Sequence, residues 1–213
     1  MKKVLPSLIA KSQKELEKRF DRIKDYSKVF HLDIMDGKFV RNKSLFFDFI
    51  LPKKRFKYEA HLMVKNPEKW VNKNWKKSDL IIFHIESLKS EAEVKNLIKL
   101  IKSKRKKVGI SINPKTKIKK IINYLNLIDK ISVMTVNPGK YGEKFLPDTL
   151  KKIKDIRKLK SKLDIEIDGS VNLGTISRAS HSGANSFVVG SFLQKSKNPK
   201  KAIEDLKKRI RAA

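Results

Sequence analysis

Short apolar runs alternate along the chain with longer stretches in which every third or fourth residue is apolar. The short runs span 3–9, 29–34, 58–63, 80–85, 107–112, 130–134, 164–168 and 186–189. Most are apolar enough to be covered on both faces, as parallel strands are. Among the longer stretches, Val94, Leu97, Ile98 and Ile101 form one helical stripe, and Leu150, Ile153, Ile156 and Leu159 form another. Asn66-Pro67 and Asn198-Pro199 read as helix starts, each a capping side chain followed by proline in the first turn. Eight strands alternating with helices predict an α/β fold, a (β/α)8 TIM barrel in a single domain over 1–213. A doubly wound open sheet satisfies the same alternation.

Composition narrows the class. Of 213 residues 39% are hydrophobic, enough for a sizeable core and well above the disordered regime. No apolar run approaches transmembrane length, and the start, with its short apolar stretch broken by Pro6, reads as a first strand rather than a signal peptide. The chain has no cysteine, which excludes disulfides and thiolate metal sites. These features predict a cytoplasmic protein without membrane attachment. The formal net charge is +30. The lysines are spread along the whole chain, with no basic tail, zinc-finger spacing or aromatic-basic signature, so no specific nucleic-acid partner is expected. Such a field does favour an anionic small substrate.

Candidate chemistry gathers at the C-terminal ends of the strands, where barrel active sites lie. In "HLDIMDGKFV", His31, Asp33 and Met35 alternate and share one strand face. "EAHLMV" ends the next strand with His61 and Met63, "FHIES" supplies His84 and Glu86, and "IEIDGS" supplies Asp168. Two imidazoles and two carboxylates form a four-ligand set for a divalent metal: His31, Asp33, His61 and Asp168. The alternative is a pair of core histidines hydrogen-bonded to aspartates. His84 and Glu86 suit a pair that orients a ligand from behind. Glycines in "TVNPGKYGEKF", "DGSVN" and "VVGSF" let backbone approach an anion closely, and a phosphate site after the last strands recurs in barrels.

Taken in order, "HLDIMDGKFV", "EAHLMV", "FHIES", "SINPKT", "MTVNPGKYGEKF", "IEIDG" and "VVGS" resemble the successive motifs of ribulose-phosphate 3-epimerases, from "LPSLIAKS" to "GSFLQKS". The resemblance implies a (β/α)8 barrel of the pentose phosphate pathway. Its reaction interconverts D-ribulose 5-phosphate and D-xylulose 5-phosphate by two-base proton transfer through an enediolate. It implies one divalent metal ion (zinc, iron, manganese or cobalt) on His31, Asp33, His61 and Asp168, with Asp33 and Asp168 as acid/base groups. It also implies that Ser7 and His61 contact substrate and that Met35, Met63 and Met134 line its pocket. Gly139, Gly142, Gly169, Gly190 and Ser191 match the phosphate loops, and family members are often homo-oligomers. Alternatives are 3-epimerisation of a ketohexose phosphate such as allulose 6-phosphate, or a catalytically silent basic barrel that binds nucleic acid.

The chain departs from the family pattern around substrate and phosphate. Arg41 stands where proline is usual, and Lys11 and Ser12 where an aspartate is common. The loop after the sixth strand reads Asn137-Pro138-Gly139-Lys140-Tyr141-Gly142-Glu143 rather than Asn-Pro-Gly-Phe-Gly-Gly-Gln. Lys140 there adds a cation near the expected phosphate. Asp-Gly-Gly becomes Asp168-Gly169-Ser170.

Overall fold

The computed structural model describes residues 2–52, 55–139 and 142–212. Its strands are β1 (Lys3–Leu8), β2 (Val29–Asp36), β3 (Lys43–Ser44), β4 (Lys57–Met63), β5 (Leu80–His84), β6 (Lys107–Ile112), β7 (Lys130–Met134), β8 (Asp164–Asp168) and β9 (Ser186–Val189). Neighbours pair in parallel in the order β1-β9-β8-β7-β6-β5-β4-β2, and β1 pairs with β2 through Ser7 and His31, which closes the ring. That closure excludes the open doubly wound sheet. Two-residue β3 adds antiparallel to the end of β2, Met35 opposite Ser44.

The helices are α1 (Gln13–Asp21), α2 (Pro67–Asn74), α3 (Glu91–Ser103), α4 (Thr149–Leu159), α5 (Leu173–His181), α6 (Ser191–Lys195) and α7 (Pro199–Arg211). Side-chain caps start most of them. Asn66 accepts from Lys69 N and Asn198 from Lys201 N, both at 3.0 Å, as the Asn-Pro pairs predict. Ser12, at one of the departures from the family, caps α1: its Oγ accepts from Glu15 N at 3.2 Å. The β6–β7 link differs from the expected alternation. Among the described residues it contains only 3₁₀ turns, Ile118–Lys120 and Ile122–Tyr124. Leu159, placed in the apolar stripe of α4, is exposed at the helix end.

Each strand has two different faces. One alternation, including Phe30, Leu32, Ile34, Ile81, Phe83, Val108, Ile110, Ile131, Val133, Ile165 and Ile167, joins Val94, Leu97, Ile98, Ile101, Ile153 and Ile156 of the helices in one apolar core. The other alternation faces the barrel axis and is largely polar: Ser7, His31, Asp33, Glu59, His61, His84, Ser111, Lys130, Ser132, Glu166 and Ser186 are all buried. Gly109 serves this crowded interior, because a Cβ there would meet Ile82 Cγ1 at 2.7 Å. Stability therefore resides in the layer between barrel and helices, and the interior is left to charge and hydrogen bonding.

Candidate active site

Strand register assembles the site. Asp33 of β2 lies opposite His61 of β4, and Met134 of β7 opposite Asp168 of β8. β8 reaches β2 across β9 and β1. One ligand atom from each of His31, Asp33, His61 and Asp168 lies within 4.8 Å of the other three. His31 Nε2 is 3.5 Å from Asp33 Oδ1 and 3.7 Å from Asp168 Oδ2, while His61 Nδ1 is 3.5 and 3.1 Å from the same two oxygens.

The donor set fits a divalent ion. His31 Nε2, His61 Nδ1 and Asp33 Oδ1 are buried and have no hydrogen-bond partner, a costly state that a shared cation relieves. Without a cation, protons are drawn to the same place. Burial disfavours imidazolium at His31, but the carboxylates of Glu166, Asp33 and Glu59 outweigh it and push the group well up. His61 is raised against its own burial by Asp168 and Asp33. Burial favours the neutral acid at Asp33, yet the two imidazoles hold its carboxyl below the usual range.

Behind His61 runs a polar chain. His61 Nε2 is 2.9 Å from His84 Nε2, the rings stacked at 18°. His84 Nδ1 is 3.0 Å from Glu86 Oε2. Glu86 Oε1 accepts from the Asn113 amide at 2.8 Å and from the Thr116 hydroxyl. Burial alone would raise Glu86, but His84, Asn113 and Thr116 bring it down to about 2. His84 is pushed down by burial and by His61, with Glu86 opposing.

Above these ligands opens a cavity of about 420 Å³. Asp33 and Asp168 form part of its wall, as do Ser7, Met35, Met63 and Met134. Gly139, Gly142, Gly169, Gly190 and Ser191 line it as well. His31 and His61 are fully buried and lie outside its lining, so the structure brings His61 to the ligand group rather than to the cavity wall. Met35 and Met63 pack with Val40 in a separate apolar cluster at this end of the barrel. Gly139 and Gly169 adopt φ of +101° and +118°, and a Cβ would stand 2.7 Å from Val40 Cβ at the first and 2.4 Å from Val136 Cγ2 at the second. Lys140 and Tyr141 lie outside the described residues.

Several site residues escape sequence reading. Arg19, Asn42 and Lys43 also line the cavity, beside Lys11 of the departures from the family pattern. Asp36 is buried and accepts from the amides of Lys38, Phe39 and Lys65 at 2.8, 2.9 and 2.8 Å, which fixes the turn after β2. Glu59 and Glu166 sit on the inward faces two residues before His61 and Asp168, and Lys130 sits four residues before Met134. The alternation that reveals His31 and Asp33 would have revealed them too.

Among the described residues no helix is long and apolar enough to cross a membrane. Solved structures share the fold. A 3-hexulose-6-phosphate synthase from Salmonella typhimurium superposes with a TM-score of 0.70 at 12% identity, covering 100% of this chain and 99% of that one. A 3-keto-L-gulonate-6-phosphate decarboxylase from Vibrio cholerae gives 0.72 at 10%, covering 100% and 99%. Sequence relatives are closer. Ribulose-phosphate 3-epimerase of Schizosaccharomyces pombe is 32% identical over 99% of this chain and 95% of its own. The cytoplasmic isoform of Oryza sativa is 34% identical, covering 98% and 94%, and the enzyme of Buchnera aphidicola is 38% identical, covering 84% and 82%. A model of the ribulose-phosphate 3 epimerase family matches residues 3–194. With barrel, ligand cluster and ordered motifs in agreement, this chain belongs to the ribulose-phosphate 3-epimerase family.

Proposed function

We propose that the chain is a metal-dependent 3-epimerase that interconverts D-ribulose 5-phosphate and D-xylulose 5-phosphate. The reading rests on Asp33 and Asp168, two cavity-lining carboxylates on β2 and β8 with β1 and β9 between them. Inverting C3 requires one group to take a proton from one face and another to deliver a proton to the opposite face. Carboxylates carried on strands this far apart around the ring address a sugar across the mouth from two sides. One starts ionised and the other protonated, and turnover exchanges the two states.

His31, Asp33, His61 and Asp168 would hold the divalent ion, of the zinc, iron, manganese or cobalt class suited to imidazole and carboxylate donors. When bound, that ion supplies Lewis-acid charge that acidifies the C3 proton. Ser7 offers a hydroxyl to the sugar, while Met35, Met63 and Met134 make an apolar wall with few competing donors. Gly139, Gly142, Gly169, Gly190 and Ser191 receive the phosphate at the rim, where small residues admit an anion to the backbone. The +30 charge draws such an anion in. A cytoplasmic, homo-oligomeric, single-domain enzyme completes the reading, supported by the name of the rice relative and by the exposed apolar Phe46 and Ile50.

Asp33→Asn and Asp168→Asn test the pair. Each should abolish epimerisation while the fold is kept. Solvent deuterium should enter C3, followed by NMR, from only one of the two pure epimers in each variant. A metal-loaded variant that still epimerises near the wild-type rate overturns two-base transfer. Comparing kcat/KM for D-ribulose 5-phosphate and D-allulose 6-phosphate tests the substrate, with the pentose expected to lead.

A further inference from the structure

Below the mouth, the inward faces of β4, β7 and β8 carry three charged residues that proton transfer does not use: Glu59, Lys130 and Glu166. Lys130 is fully buried, and its Nζ donates to Glu59 Oε2 at 2.6 Å and to Glu166 Oε2 at 2.7 Å. Asp164 Oδ2 stands 3.8 Å away. Both glutamates also face His31, whose Nδ1 is 3.9 Å from Glu59 Oε2 and 3.7 Å from Glu166 Oε1. His31 Nδ1 and Glu166 Oε1 are completely buried, and neither has a hydrogen-bond partner. One atom from each of His31, Glu59 and Glu166 lies within 4.8 Å of the other two. Two carboxylates and an imidazole at that spacing are a donor set for a divalent cation.

We propose that the barrel floor is a second cation site, formed by Glu59, Glu166 and His31 Nδ1, and that the Lys130 ammonium occupies it. An ammonium is donor-only and singly charged. It satisfies one oxygen of each glutamate and leaves Glu166 Oε1 and His31 Nδ1 unclaimed, the two atoms that an ion with open coordination positions would bind. Because the ammonium is tethered, it cannot exchange with ions in solution. Lys130 thereby confines exchangeable metal to the mouth and keeps the floor from drawing His31 away from it. The second part rests on the metal reading of the mouth; the existence of the floor site does not.

The test uses full-length chains and Co²⁺ as the probe. Asp33→Ala/Asp168→Ala removes the mouth and should leave no tightly bound Co²⁺. Adding Lys130→Ala should restore one Co²⁺ per chain, with a visible spectrum and a Tm that rises from EDTA to Co²⁺. Adding Glu166→Gln as well should remove that ion. A triple variant that binds none, or whose ion survives Glu166→Gln, overturns the proposal. If the triple variant does not fold, Lys130→Ala alone decides. Its Tm must rise on Co²⁺ addition by more than the wild type's, and an equal or smaller rise, or no folding even with Co²⁺, overturns the floor site. Lys130→Arg should behave as wild type. The mouth is judged separately, by the ion that wild type holds and Asp33→Ala/Asp168→Ala loses.

Discussion

His61 Nε2 lies 2.9 Å from His84 Nε2, and this contact sets the proton on both imidazoles. Only one of two facing ring nitrogens can donate. If His61 Nδ1 is given to a cation, its proton sits on Nε2 and is donated to His84. His84 then carries its own proton on Nδ1 and donates it to Glu86, 3.0 Å away. Glu86 accepts from Asn113 N–H and the Thr116 hydroxyl on its other oxygen, so one arrangement satisfies the whole chain. Glu86→Gln breaks it, because an amide offers one acceptor oxygen where two are needed. Partners of this kind are worth about 10–100-fold in metal affinity. Competition with a chromophoric chelator should show that loss in Glu86→Gln and in His84→Ala, and an unchanged affinity in both would remove the chain's role.

Glu86 also carries a pH signature. Its partners bring its carboxyl down to about 2 in the fold, against an ordinary value of 4.5. A depressed folded value adds stability that is complete above the unfolded value and is lost as pH falls from there towards the folded one. The gap in urea midpoint between wild type and Glu86→Gln should be widest at pH 7, shrink below about pH 4.5 and close towards pH 2. A gap independent of pH would assign the cost to shape rather than charge.

Gly169 follows Asp168 at φ +118°, with Val136 Cγ2 only 2.4 Å from where a Cβ would sit. Gly169→Ala should displace this loop and lower kcat/KM by about 10–100-fold, on the order of 1.4–2.7 kcal/mol of transition-state stabilisation. Val136→Ala in the same chain removes the methyl groups in the way and should recover part of the loss. No recovery would show that backbone strain, not contact, is the whole effect.

Arg105, just past the Lys104 cap of α3, has φ +55° and is exposed, in the left-handed conformation that glycine adopts freely. Arg105→Gly should stabilise the protein by about 0.5–1 kcal/mol, read as a higher Tm. Ser170, where the family pattern has glycine, is held at φ +50° with its hydroxyl donating to the Glu143 carbonyl. Ser170→Gly trades that bond for relief of strain, so its Tm should move less than that of Arg105→Gly.

What could be read from the sequence follows the physics of alternation. His31 and Asp33 are conspicuous because polar residues on a parallel strand need a reason to be there, and the same holds for His61 and Asp168. Glu59, Lys130 and Glu166 obey the same rule yet pass as solvated positions, since charge near the start of a strand is ordinary until ring closure buries it. The β6–β7 link misleads in the other direction. Its apolar residues Ile118, Ile121, Ile122 and Leu125 repeat at helical spacing, but the segment settles into 3₁₀ turns with Ile121 and Leu125 buried. Two-residue β3 is too short to leave a periodic trace at all.

The two faces of the barrel strands mean that folding and chemistry are written in alternate residues of the same few segments. Point substitutions can therefore edit one text without touching the other: Ile34 or Ile167 for packing, Asp33 or Asp168 for reaction. Insertion or deletion of one residue within a strand cannot. A slip of one position in β2 would turn Leu32 and Ile34 onto the axis and press His31 and Asp33 against the helices, erasing the core and the ligands together. Variation in chain length is thus confined to the connections, while the strands are free to change only in kind.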